Sequence, residues 1–111
     1  MHTHRFARHL QVPLLALAIL GSAVPAQAQD ANALYLRSLA ATCANCHGTA
    51  GRPVPNPAVP GLAGIPAGYM IEQMKAFKSG ARSATVMHQL AKGYSDAQIE
   101  QLAAYFSAQP K

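Results

Sequence analysis

Thr42-Cys43-Ala44-Asn45-Cys46-His47-Gly48 holds both cysteines of the 111-residue chain, and its reading decides the rest. Upstream, Leu34, Leu36, Leu39 and Ala40 recur with helical spacing and Asp30 and Asn32 offer caps, which predicts a helix from about Ala33 to Cys46. Gly48 and Gly51 end it. Cysteines three apart at a helix end present both sulfurs on one side, with the His47 imidazole beside them. A disulfide between them closes too small a loop to stabilise much. Zinc needs four ligands, and His88 alone cannot complete the set. A thioredoxin-like dithiol asks for a preceding strand in a βαβ pattern, whereas here a helix precedes.

What remains is covalent attachment of one haem. Two such thiols match its two vinyl groups, and the adjacent His47 swings under the ring to give a nitrogen to iron. The size of the chain argues the same way. With no Trp and three Phe, the core is thin, and a large apolar cofactor would fill it.

The first 28 residues read as a signal peptide. Arg5 and Arg8 form a positive n-region, Val12 to Val24 is apolar, and Ala26-Gln27-Ala28 is a small-x-small cleavage pattern. The apolar stretch is shorter than the roughly 20 residues of a membrane span and contains Pro13, so an uncleaved anchor is the weaker alternative. No cysteine stands at the cut and no twin-arginine pair precedes it. Export to the periplasm with cleavage after Ala28 leaves residues 29–111 as one monohaem domain, with no stable membrane insertion. Arg5 and Arg8 leave with the signal, so nine Lys and Arg become seven against four acids. A net charge of +3, scattered and with few aromatics, excludes nucleic acid as a partner class.

Downstream, Pro53, Pro55, Pro57, Pro60 and Pro66 stiffen a loop interleaved with Val54, Val59, Leu62 and Ile65. Pro66 starts a second helix of about 13 residues ending at Ser79-Gly80, with Met70, Met74 and Phe77 on one face. A loop from Ala81 to Tyr94 carries Met87 and His88. Ser95 with Gln98 forms a capping box for the last helix, whose stripe is Ile99, Leu102 and Phe106. No segment alternates with period two, so the fold is all-α: three to four helices wrapped around one haem.

Four side chains of the mature chain are candidates for the sixth iron ligand: Met70, Met74, Met87 and His88. Met70 and Met74 lie on an apolar helix face, where methionine is usually core filler. Met87 follows Thr85-Val86 in a loop that can aim a thioether at iron, and is the expected ligand, with the others as alternatives. Two axial ligands leave no open position for substrate, which favours electron transfer over catalysis. On this reading the chain is not an enzyme by itself.

At these residues the chain resembles the class I cytochromes c, through Ala41 to Gly48, Pro60-Gly61-Leu62-Ala63-Gly64, the Met87 loop and Leu102-Ala103-Ala104-Tyr105-Phe106. The resemblance implies His47 and Met87 as axial ligands. It also implies a hydrogen bond from the other His47 nitrogen to the Pro60 carbonyl, and a crossing of the first and last helices near Tyr105. Phe77-Lys78-Ser79-Gly80, Thr85-Val86-Met87 and Ala91-Lys92-Gly93-Tyr94-Ser95 further resemble the cytochrome subunit of flavocytochrome c sulfide dehydrogenase. That likeness implies a redox partner, a flavoprotein that oxidises sulfide. A single haem motif departs from the subunits that carry two. A free soluble carrier between a respiratory complex and a terminal oxidase or reductase is the alternative. A metal- or disulfide-based stress protein is the third class.

Overall fold

The computed structural model describes residues 24–53, 55 and 58–111, with side chains from Ala28 onward. Most of the expected signal peptide, and Val54, Asn56 and Pro57 of the proline loop, lie outside the described residues. The elements are α1 (Val24–Ala41), α2 (Ala44–His47), a 3-10 turn at Thr49–Gly51, α3 (Ala67–Ser79), α4 (Met87–Leu90), a second 3-10 turn at Ala91–Gly93, and α5 (Asp96–Ser107). Among the described residues there is no strand, and no helix is long and apolar enough to cross a membrane.

The last helix organises the rest. Ser95 accepts from the Gln98 backbone N–H at 3.1 Å while the Gln98 side chain accepts from the Ser95 N–H at 2.9 Å, the reciprocal cap expected from the sequence. Beyond it Ile99, Leu102, Ala103 and Phe106 fall at i, i+3, i+4 and i+7, and all four are buried. Ala40 of α1 and Met70 of α3 complete the central cluster, with Leu39, Leu62, Ile65, Met74, Tyr94 and Tyr105 packed around it. Thus α1 and α3 both lie on α5. Tyr105 stands edge-on to Phe106, ring centroids 5.1 Å apart.

Pro66 and Gly80 bound α3 as expected. Its Met70 is buried and its Met74 half-buried, while the Phe77 ring lies under the Arg82 guanidinium at 4.6 Å.

Two expectations need correction. The helix predicted over Ala33 to Cys46 is two elements: α1 starts earlier, at Val24, and stops at Ala41. Asp30 and Asn32 therefore sit inside α1 instead of capping it. Local bonding stops the helix. Thr42 turns both its N–H and its hydroxyl on the Leu39 carbonyl, and the Cys43 N–H bonds Ala40, so the ladder tightens to i−3. Leu34, expected on the apolar stripe, is 64% exposed. Second, the Ala81 to Tyr94 loop contains the helical turn α4, with Met87 as its first residue.

Two predictions follow from this packing. Phe106→Ala empties the centre of the cluster and is expected to cost about 3–5 kcal/mol, read from urea unfolding of the holoprotein. At the start of α5, the hydrogen bond from Lys78 holds the exposed Asp96 carboxyl below its ordinary value. A carboxyl whose folded pKa is depressed adds stability above its unfolded value and loses it as pH falls through the folded one. The urea midpoint of Asp96→Asn should therefore lie slightly below the parent's at pH 7, the gap shrinking below about pH 4.

Candidate functional site

One helical turn builds the centre of the site. The His47 N–H bonds the Cys43 carbonyl at 3.0 Å and the Gly48 N–H bonds Ala44 at 2.9 Å, so α2 follows directly on the Thr42–Cys43 corner. Positions i, i+3 and i+4 of one turn share a face, and these are Cys43, Cys46 and His47. No disulfide joins the two cysteines, Cys43 half-buried and Cys46 exposed. Burial pushes the Cys43 thiol up from its ordinary value.

The His47 Nδ1 lies 2.7 Å from the Pro60 carbonyl oxygen. A carbonyl only accepts, so Nδ1 carries the proton and donates, leaving the Nε2 lone pair available to a metal. A fixed tautomer and a fixed ring plane are what a ligating histidine needs. The loop that delivers Pro60 is tied at two points. The Gly51 carbonyl accepts from Leu62 N–H at 2.8 Å and Ala63 N–H at 3.1 Å, and Gly64 N–H donates to the Phe106 carbonyl at 2.9 Å. Gly51 is required where it stands: its φ is +76°, and a Cβ there would lie 2.8 Å from Ala63 N and 2.9 Å from the Phe106 ring.

Beside the turn is an open cavity of about 320 Å³ lined by Ala44, Asn45, Cys46, Pro53 and Val59 among others, none charged. Among the described residues no three His, Cys, Asp or Glu side chains cluster as a metal site, so the donors do not form a zinc cage. Two thiols, an imidazole of set tautomer and uncharged walls fit a covalently held, planar apolar group that carries its own metal.

Cys43, Cys46, His47 and Pro60 are thus brought together. Of the other candidates, Met70 is buried in the core and Met74 packs against it. Met87 is half-buried on α4, which rests on α3, and its neighbour His88 has an Nδ1 that is buried without a hydrogen-bond partner. Three features escaped the sequence reading: the Gly51 clamp, the 2.7 Å contact between the Thr42 and Tyr94 hydroxyls, and the Lys78 bonds to the Tyr94 carbonyl and Asp96. Thr42 and Tyr94 are 52 residues apart, and no local pattern links them.

Comparison with known proteins bears on the family and the fold. Residues 28–109 match the family model described as cytochrome c. The thiosulfate dehydrogenase electron acceptor of Stutzerimonas stutzeri is 37% identical over 102 residues, covering 88% of this chain and 47% of that protein. The cytochrome subunit of sulfide dehydrogenase of Chlorobaculum tepidum is 38% identical over 68 residues, covering 61% of this chain and 60% of that one. The solved cytochrome c4 of Acidithiobacillus ferrooxidans superposes with a TM-score of 0.61 at 33% identity, over 70% of this chain and 50% of its own. The chain spans about half the length of the first and the last of these relatives. With a family model matched over most of its length and an all-helical fold like that of a solved cytochrome c4, the chain belongs to the cytochrome c family, as an all-α class I member carrying covalent c-type haem.

Proposed function

We propose that this cytochrome is an exported single-electron carrier, with haem held by Cys43 and Cys46, His47 and Met87 as the axial ligands, and an enzyme oxidising an inorganic sulfur compound as its electron donor. The observation that carries the ligand reading is the 2.7 Å contact between His47 Nδ1 and the Pro60 carbonyl, which leaves Nε2 to the iron. Bound haem supplies a one-electron couple at iron. The chain's own residues set its conditions. The Pro60 carbonyl keeps the His47 ring from rotating and makes it a better donor, and the neutral Met87 thioether raises the potential. With both axial positions taken by protein there is no place for a substrate, so the chain acts as a carrier and not as an enzyme alone.

Export to the periplasm is supported by the basic and apolar leader with its Ala26-Gln27-Ala28 cleavage pattern. It is supported also by a family match that begins at residue 28. The donor reading is supported by the resemblance of the Phe77–Gly80, Thr85–Met87 and Ala91–Ser95 stretches to the flavocytochrome subunit. Relatives named for sulfide and for thiosulfate dehydrogenases extend the donor class to both substrates. Beside the attachment cysteines the exposed Asn45 and Thr49 and the half-buried Ala44 and Ala50 carry no charge, which favours a complex held by buried apolar area over one steered by charge.

The first test is assembly. Material exported from a host with a cytochrome maturation system should have the mass of residues 29–111 plus one haem and no free thiol. In that material Met87→Ala should abolish the weak Met-to-iron charge-transfer band and lower the potential. Met70→Leu and Met74→Leu should keep the band and cost at most about 1.5 kcal/mol. Loss of the band in Met74→Leu and its survival in Met87→Ala would assign the ligand to Met74. The second test is the donor. Haem reduction by sulfide with its flavoprotein, or by thiosulfate with its dehydrogenase, should change little between low and high salt, and donor and cytochrome should co-elute. A steep fall with salt and separate elution would identify a free carrier.

A further inference from the structure

A single-turn helix has no stability of its own, so the place of Met87 depends on what anchors the ends of its segment. Within α4 the Gln89 and Leu90 N–H groups bond only back to Val86, at 2.9 and 3.1 Å. Upstream, Arg82 pins the chain to α3, its N–H on the Ala76 carbonyl at 3.0 Å and its guanidinium on Gln73 at 2.6 Å. Downstream, Tyr94 is held at both ends. Its carbonyl accepts from the Lys78 ammonium of α3 at 2.7 Å, and its hydroxyl reaches Thr42 at 2.7 Å. Among the described residues, this is the hydrogen bond that joins the Met87–Tyr94 segment to the Thr42–Gly48 turn.

Proton counting fixes its direction. The Thr42 hydroxyl lies 2.7 Å from the Leu39 carbonyl, which can only accept, so the single Thr42 proton is committed there. The Tyr94 O–H is therefore the donor to Thr42 Oγ1. Thr42 in turn stops α1 and adjoins Cys43, its oxygen 3.8 Å from the sulfur. One oxygen thus closes the helix end, flanks the attachment cysteine and receives the far segment.

We propose that Tyr94 is a positioning residue, whose hydroxyl bond to Thr42 clasps the Met87 segment to the Cys43–His47 turn and sets how readily Met87 leaves the iron. The clasp rests on the reading of Met87 as a ligand given above. Tyr94→Phe is a clean probe, because the ring keeps its packing against the core, the carbonyl keeps Lys78, and Thr42 keeps Leu39.

The test uses the ferric holoprotein with imidazole as the competing ligand, following loss of the Met-to-iron band. Losing the Tyr94–Thr42 hydrogen bond should raise the apparent imidazole affinity about fivefold in Tyr94→Phe, and at least as much in Thr42→Val, which also gives up the Leu39 bond. The double variant should go no further than Thr42→Val, because that change already removes the Tyr94 bond. Thr42→Ser, which keeps the acceptor, should behave like the parent. Amide hydrogen exchange supplies a readout independent of the ligand: Gln89 and Leu90 should exchange about fivefold faster in Tyr94→Phe, with Ile99 in the core unchanged. Parent values for both imidazole affinity and Gln89 and Leu90 exchange would overturn the clasp. So would an equal acceleration at Ile99, which marks a general loss of stability. Faster exchange at Gln89 and Leu90 with unchanged imidazole affinity would leave the clasp standing and overturn Met87 as the displaced ligand.

Discussion

The Gly51 carbonyl accepts from Leu62 and from Ala63, and the histidine side of the site depends on that pair of hydrogen bonds. The loop it closes is rich in proline, which has no N–H to give, so the segment cannot build a ladder of its own. Its Leu62–Gly64 stretch is held from outside, Leu62 and Ala63 by the Gly51 carbonyl and Gly64 by the Phe106 carbonyl. Gly51 can play this part only because it has no Cβ, since the space a side chain would need belongs to Ala63 and to the Phe106 ring. With the loop fixed, the Pro60 carbonyl is fixed, and with it the proton on His47 Nδ1. On the proposed ligation, a backbone contact that touches neither cysteine nor histidine thus bears on which nitrogen of His47 is left for iron.

The same contact joins the site to the core. Phe106 is among the largest fully buried side chains, its carbonyl holds Gly64, and its ring borders Gly51. The apolar residues that bury α5 therefore also hold the loop behind His47. In so small a domain there is little else to lean on, and α1 and α3 both pack on this one helix.

The sequence was legible where the determinant is a local pattern of residue types. The Ser95–Gln98 box, the Pro66 and Gly80 ends of α3 and the stripe from Ile99 to Phe106 are each written within a turn or two, and each was read. The motif at Cys43, Cys46 and His47 belongs with them. The break at Thr42 was hidden because apolar spacing continues into Cys46, while the competing bond is a side chain turning on its own helix end. The turn at Met87–Leu90 was hidden because four residues are too few for periodicity to register. The Thr42–Tyr94 and Lys78–Tyr94 bonds are purely tertiary, and only folding brings those groups together.

The two sides of the site are held by different means. His47 lies in a turn flanked by the two attachment cysteines, is oriented by a carbonyl, and is backed by a loop clamped to the central helix. Met87 opens a single helical turn whose anchors are an arginine on one side and a tyrosine on the other. A carrier gains from this inequality. On the proposed ligation, the imidazole would fix where the ring and iron sit, so that part would not need to reorganise when charge changes. On the same reading the thioether side, held by its packing on α3 and a few polar bonds, would be where small differences in tethering alter the iron's preference for one oxidation state. The hydroxyl bond between Tyr94 and Thr42 links the two sides, so the softer one takes its position from the rigid one.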